Sequence, residues 1–316
     1  MNTLPLGDSG LEVSALCLGI LPFGTKVDRA TGFAILDAYY EAGGRFIDTA
    51  NNYSLWHNNG KGTESETMLG EWMAERGTRD ELVIASKVGF NRPDRRESLS
   101  PETIRIEFEG SLKRLQTDRI DLYYAHADIR KDPLEETLAT FNELVQAGKV
   151  RAIGCSNYRA WRIAEARAVS ERHGYASYCC VQQRHTYLRP RPGASFGPQT
   201  SSNEDLLDYC REHPEVRLLA YSPLLAGAYT REDREIPAQY RGAGTDARLA
   251  MLGRVAEETG ATRSQVIYAW MLATSPQTIP LTAPTTLEQL AENLGALEVT
   301  LAPDQVEALN TAGDPE

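Results

Sequence analysis

Short apolar runs alternate with stretches of helical periodicity along most of this chain. The runs "ALCLGI" (15–20), "RFIDTA" (45–50), "LVIASKV" (82–88), "IDLYYAH" (120–126), "RAIGCS" (151–156), "YCCVQQ" (178–183), "RLLAYS" (217–222) and "TIPLTA" (278–283) predict eight buried strands. Between and after them the spacing predicts helices over 29–42, 64–76, 101–115, 134–147, 159–172, 203–212, 246–259, 263–273 and 286–297. Punctuation agrees: "EAGG" (41–44) and "QAGK" (146–149) end helices in glycine, while "SPET" (100–103) and "KDPLEE" (131–136) open them. The first residues, "TLPLGDSGLEVSAL", predict a small hairpin turning at Gly7-Asp8-Ser9-Gly10.

Strands joined by helical crossovers must run parallel, and eight such units close into a (β/α)8 TIM barrel of about 250 residues plus insertions. A doubly wound open sheet is the alternative. It asks for a glycine fingerprint after the first strand, and "CLGILPFGTK" (17–26) lacks the G-x-G-x-x-G spacing. The fold expected is therefore an α/β barrel with an N-terminal β-hairpin and long loops at its C-terminal face, 184–202 and 223–245. No linker divides the chain, so residues 1–316 read as one domain, with 1–14 as the hairpin and 299–316 as a C-terminal extension.

Composition narrows the partners. A net charge of −11 over 316 residues disfavours nucleic acid and anionic membrane, both of which want a basic face. No secretory leader and no bilayer-spanning apolar run is visible, so a cytoplasmic protein acting on a small molecule is expected, monomeric by default. The five cysteines lack metal-ligand spacing and read as reduced, buried thiols; no metal is expected.

Function in such a barrel sits beyond the C-terminal ends of the strands. Those positions hold Asp48 and Tyr53, Lys87, His126, Ser156-Asn157, Gln182 and Ser222. Each alone is ordinary: Asp48 suits a cap, Lys87 a solvated charge, Tyr53 packing. Together at one mouth, the first four permit proton donation by a phenol. A phenol near pKa 10 is a poor acid, and a neighbouring ammonium is expected to lower that value. A carboxylate would orient the ammonium, and an imidazole would steer a substrate oxygen.

These residues carry a resemblance to the aldo-keto reductase family. "GGRFIDTANNY", "IASKVG", "DLYYAHAD", "GKVRAIGCSNY", "YSPL" and "EQLAEN" resemble its motifs in order, from the hairpin to roughly residue 298. The resemblance implies hydride transfer between nicotinamide C4 and a carbonyl or alcohol substrate, with Tyr53 as acid, Asp48 and Lys87 supporting it, and His126 orienting the carbonyl. It implies that Ser156, Asn157 and Gln182 hold the carboxamide, Ser222 and Leu224 the pyrophosphate, and Glu292 and Asn293 the adenine. It also places an aromatic residue against the nicotinamide three positions beyond Gln182, which here is His185, with Tyr187 the alternative. Gln289 stands where the family often has an arginine for a 2′-phosphate, and no Lys or Arg follows Arg263. Thr282, Thr285, Thr286 and the arginines Arg231, Arg234, Arg241 and Arg248 are the local substitutes. NADP(H) is slightly favoured and NAD(H) stays open. Trp56, His57 and Asn58, with Asn59, suggest a loop for a sugar or other polyhydroxylated substrate. A lyase using Lys87 as a Schiff base, and a low-turnover nucleotide-binding regulator, are the competing functions.

Overall fold

A computed structural model describes residues 1–55 and 60–314. The N-terminal hairpin pairs β1 (Thr3–Pro5) with β2 (Glu12–Ser14) antiparallel. Eight parallel strands follow: β3 (Cys17–Gly19), β4 (Phe46–Asp48), β5 (Val83–Val88), β6 (Ile120–Ala125), β7 (Val150–Ser156), β8 (Tyr178–Arg184), β9 (Arg217–Tyr221) and β10 (Thr278–Thr282). They close in the order β10-β3-β4-β5-β6-β7-β8-β9, which is the expected (β/α)8 barrel.

Helices α1 (Arg29–Glu41), α2 (Glu64–Arg76), α3 (Pro101–Leu115), α4 (Leu134–Gln146), α5 (Ala160–His173) and α6 (Glu204–Glu212) each follow one of β3 to β8. After β9 come α7 (Thr245–Thr259) and α8 (Arg263–Ala273); after β10 come α9 (Leu287–Gly295) and α10 (Pro303–Thr311). Local chemistry sets several of these boundaries. Ser100 caps α3 by accepting from the Thr103 amide, Pro101 opens it, and Gln116 ends it in the left-handed conformation. Thr262 and Gln265 form a reciprocal capping box on α8.

Alternation along the strands divides each one between two cores. Phe46, Ala85, Leu122, Tyr124, Cys180, Leu219 and Ile279 fill the barrel interior together with Leu6, Leu11 and Val13 of the hairpin region. Ile47, Ile84, Tyr123, Ile153 and Val181 face the helices instead. Because both faces are covered, all six residues of β5 and of β6 are buried, which is why the sequence shows runs and not alternation. Each fully buried Leu or Phe contributes about 1.5–3 kcal/mol relative to exposure. The hairpin closes the N-terminal end. Gly7 adopts φ +54 there, and a Cβ on it would lie 2.1 Å from the Cys179 carbonyl oxygen. A side chain at that turn would push the plug off the barrel floor.

The same period of two places the chemistry. Two positions beyond interior Phe46, Ala85, Tyr124, Cys180 and Leu219 stand Asp48, Lys87, His126, Gln182 and Tyr221. The apolar filling thus ends and the polar layer begins one step up each strand.

Candidate active site

Asp48, at the end of β4, is the centre of that layer. Its Oδ2 accepts from Lys87 Nζ at 2.5 Å and from the Tyr53 hydroxyl at 3.0 Å. Its Oδ1 accepts from Gln182 Nε2 at 2.7 Å, a bond that crosses the barrel from β8 to β4. Lys87 also donates to the Thr49 carbonyl and to Tyr53 Oη, both at 2.7 Å. All three ammonium protons are therefore used, and the side chain is fully buried. A Schiff-base lysine needs an open face, and Lys87 Nζ presents none.

Tyr53 reaches this position through the turn at 51–55. Ser54 is left-handed (φ 72) and its hydroxyl donates to the Leu21 carbonyl at 2.7 Å, which ties the turn to the segment after β3. His126 leaves β6 with its backbone amide donating to the Val88 carbonyl. Its ring lies edge-on to Tyr53, centroids 6.0 Å apart, and to Phe90 at 4.6 Å. Its Nδ1 is buried without a partner among the described residues.

Burial and the Lys87 charge push the His126 imidazolium well below its ordinary range, so the ring is neutral near pH 7. Burial, then the Asp48 carboxylate, push the Tyr53 phenol well above 10. This corrects the expectation that Lys87 lowers it. Desolvation outweighs the ammonium here, and burial lowers Lys87 itself. The consequence suits a proton donor: the phenol stays protonated, with the ammonium 2.7 Å away to receive the phenolate that donation would create.

Ser156 and Asn157 end β7 on the other side of the mouth. Ser156 Oγ donates to the Gln182 carbonyl at 2.8 Å. Asn157 is left-handed (φ 60), and its amide is spent on protein: Nδ2 donates to the His126 carbonyl and to Ser156 Oγ, while Oδ1 accepts from Tyr221 Oη and the Thr200 amide. Gln182 Oε1, by contrast, accepts nothing among the described residues and can receive an amide donor. Tyr221 was not singled out from the sequence. Counting by twos along "RLLAY" from the interior Leu219 would have found it.

His185 does not join this group. Its ring stacks on the Trp270 indole, centroids 5.7 Å apart, and Tyr187 meets the same indole edge-on at 5.5 Å. Both rings pack on Trp270 of α8, and the aromatic ring beside Asn157 is Tyr221.

Beyond β9, three non-glycine residues in five positions are left-handed: Ser222 (φ 57), Leu225 (φ 49) and Ala226 (φ 57). Strain of this kind concentrates where backbone must face a ligand. At the end of β10, Asn293 Nδ2 donates to Thr282 Oγ1 at 2.7 Å. Thr286 caps α9, Gln289 Oε1 accepts from the Thr285 amide at 2.8 Å, and Glu292 accepts from the Thr262 hydroxyl. A free amide acceptor at Gln182, a strained loop at 222–226 and a helix N-terminus at α9 fit a nicotinamide dinucleotide laid across β9 and β10. The loop arginines are not arranged to supply a phosphate clamp. Arg231 and Arg241 pair with Asp233 and Glu235, and Arg248 donates to the Tyr187, Asn310 and Ala312 carbonyls. Trp56, His57 and Asn58 lie outside the described residues. Among those described, no helix is long and apolar enough to cross a membrane.

A family model described as "Aldo/keto reductase family" matches residues 15–314. The chain is 33% identical to "Uncharacterized oxidoreductase YrpG" of Bacillus subtilis (strain 168), covering 96% of this chain and 94% of that protein. It is 34% identical to norsolorinic acid reductase stcV of Emericella nidulans, covering 94% and 78%. It is 30% identical to aldo-keto reductase ausK of Aspergillus calidoustus, covering 97% and 80%.

Proposed function

The chain belongs to the aldo/keto reductase family, oxidoreductases that use nicotinamide cofactors, generally NADPH, on small-molecule carbonyl substrates, and on that premise we propose that Tyr53 is the acid that completes carbonyl reduction here. A reduced nicotinamide supplies the hydride when bound. The carbonyl carbon gains that hydride, and the carbonyl oxygen takes the Tyr53 proton as the phenol O–H bond breaks. Lys87 Nζ, 2.7 Å from Tyr53 Oη, then holds the phenolate, and Asp48 keeps the ammonium in place. His126, neutral, directs the carbonyl oxygen toward the phenol. Gln182 Oε1 is assigned to the carboxamide, with Ser156 and Asn157 orienting the mouth around it. Ser222 and Leu224 are assigned to the pyrophosphate, and Glu292 and Asn293 to the adenine.

The observation that carries this reading is the buried Asp48–Lys87–Tyr53 triangle beneath a neutral imidazole. The name borne by the stcV relative supports the reducing direction. NADP(H) is favoured over NAD(H) by family habit alone, since Gln289 offers no charge. A polyhydroxylated substrate remains the proposal for the loop bearing Trp56, His57 and Asn58. Tyr53→Phe should lower kcat by about 10²–10⁴ while leaving NADPH binding, read by fluorescence titration, within about twofold. Full turnover in that variant would sink the mechanism.

A further inference from the structure

A cavity of about 1020 Å³ opens between α6 and α8, under the segment 188–204. None of Asp48, Tyr53, Lys87 or His126 lines it, nor do Ser156, Asn157, Gln182, Ser222, Leu224, Glu292 or Asn293; His185, Tyr187 and Arg248, which the family resemblance directs toward the cofactor, line this cavity instead. We propose that this cavity is a binding site for a planar aromatic molecule carrying an anionic group, of the aromatic carboxylate class.

Three observations carry the proposal. The first is volume: the space matches the upper range of small-molecule pockets, about 300–1,000 Å³. The second is unmet hydrogen bonding in the walls. Tyr187 Oη, Ser202 Oγ and Gln183 Oε1 are buried without a partner among the described residues, and all three residues line the cavity. A buried polar group left unpaired is costly, and a ligand that draws such a side chain toward the cavity recovers part of that loss. The third is the character of the rim. Arg159 and Arg191 have no carboxylate partner among the described residues, in a chain of net charge −11 where most arginines do. Trp161, 53% exposed, stands beside Arg159, and Trp270 with His185 supplies an aromatic inner wall. Acidic groups are present too. Glu204 and Asp205 lie at the start of α6, where the helix dipole favours them and Asp205 accepts from Asn203 Nδ2. Burial and the Arg248 charge hold His185 down at about 4, so that imidazole is neutral at neutral pH, and the cations, Arg248 in the wall with Arg159 and Arg191 at the rim, set the preference for an anion.

The test reads binding, so it stands apart from the reductase reading. The full-length protein, saturated with NADP⁺, is titrated calorimetrically with 2-naphthoate and with 2-naphthamide. The proposal expects naphthoate to bind at least about tenfold more tightly than the amide. The double variant Arg159→Gln/Arg191→Gln should erase that preference and leave the KM for a carbonyl substrate unchanged. Tyr187→Phe removes a hydroxyl that has no partner among the described residues, so the free protein should keep its Tm while naphthoate binding weakens several-fold. No binding, binding indifferent to these substitutions, or competition with the carbonyl substrate would each overturn the proposal; the last would place naphthoate in the barrel mouth.

Discussion

At the ends of β4 and β5 a carboxylate, an ammonium and a phenol sit within 3.0 Å of one another, Asp48 and Lys87 fully buried and Tyr53 nearly so, with every ammonium proton assigned. At the end of β10, where α9 begins, the contacts run through hydroxyls and amides: Asn293 to Thr282, Gln289 to Thr285, the Thr286 cap. The first region concentrates charge and fixes it. The second leaves a helix N-terminus and side chains that recognise shape with little electrostatic commitment. On the reductase reading proposed above, the reaction chemistry is built into the strands, whereas cofactor choice is left to a surface that single substitutions can change.

The largest break in that contrast comes from Lys87→Met. It removes one partner of a buried pair and leaves Asp48 uncompensated, for which a loss of about 3–5 kcal/mol is typical. Denaturant unfolding should show that loss, together with collapse of turnover; a variant as stable as the parent would show that Asp48 does not depend on Lys87.

A smaller effect comes from acid. His126 and His185 are held neutral by burial, with folded values below the unfolded reference of about 6.5. As pH falls, the unfolded chain takes up protons first, so the stability each contributes is present above about 6.5 and is lost below it, for His185 down to about 4. Each group can cost up to about 1.4 kcal/mol per pH unit across that window. Tm should drop below pH 6.5, while kcat/KM should show no inflection there, because His126 stays neutral throughout. An inflection at 6.5 would mean that the imidazole titrates in place.

The smallest effect belongs to the α9 end. Gln289→Arg should raise the preference for NADPH over NADH by about tenfold at low ionic strength and lose part of that gain in salt. An unchanged ratio would place the 2′-phosphate elsewhere.

Much of this was legible in the sequence because parallel strands buried on both faces read as apolar runs. All eight were found within a residue or two, and the ends of those runs named Asp48, Lys87, His126 and Gln182 directly. Helix α10 was not foreseen: nine residues, with Val306, Ala308 and Leu309 as its apolar contribution, give too short a pattern to separate from a tail. His185 was reached by counting along the chain past the end of β8, where period and register no longer constrain position. Tyr221 lay on a strand and was missed by not counting across it. The direction of the Tyr53 shift depends on desolvation, which no spacing reveals.

The plug formed by Leu6, Leu11 and Val13 closes the floor of the barrel and leaves the mouth at the strands' C-terminal ends. On the reductase reading, cofactor, substrate and the water that returns a proton to Tyr53 share one doorway. Traffic through it has to be sequential: the phenolate waits, sheltered by Lys87, until the alcohol has left. The hairpin at the floor, far from any reacting atom, thereby sets the order of events at the top.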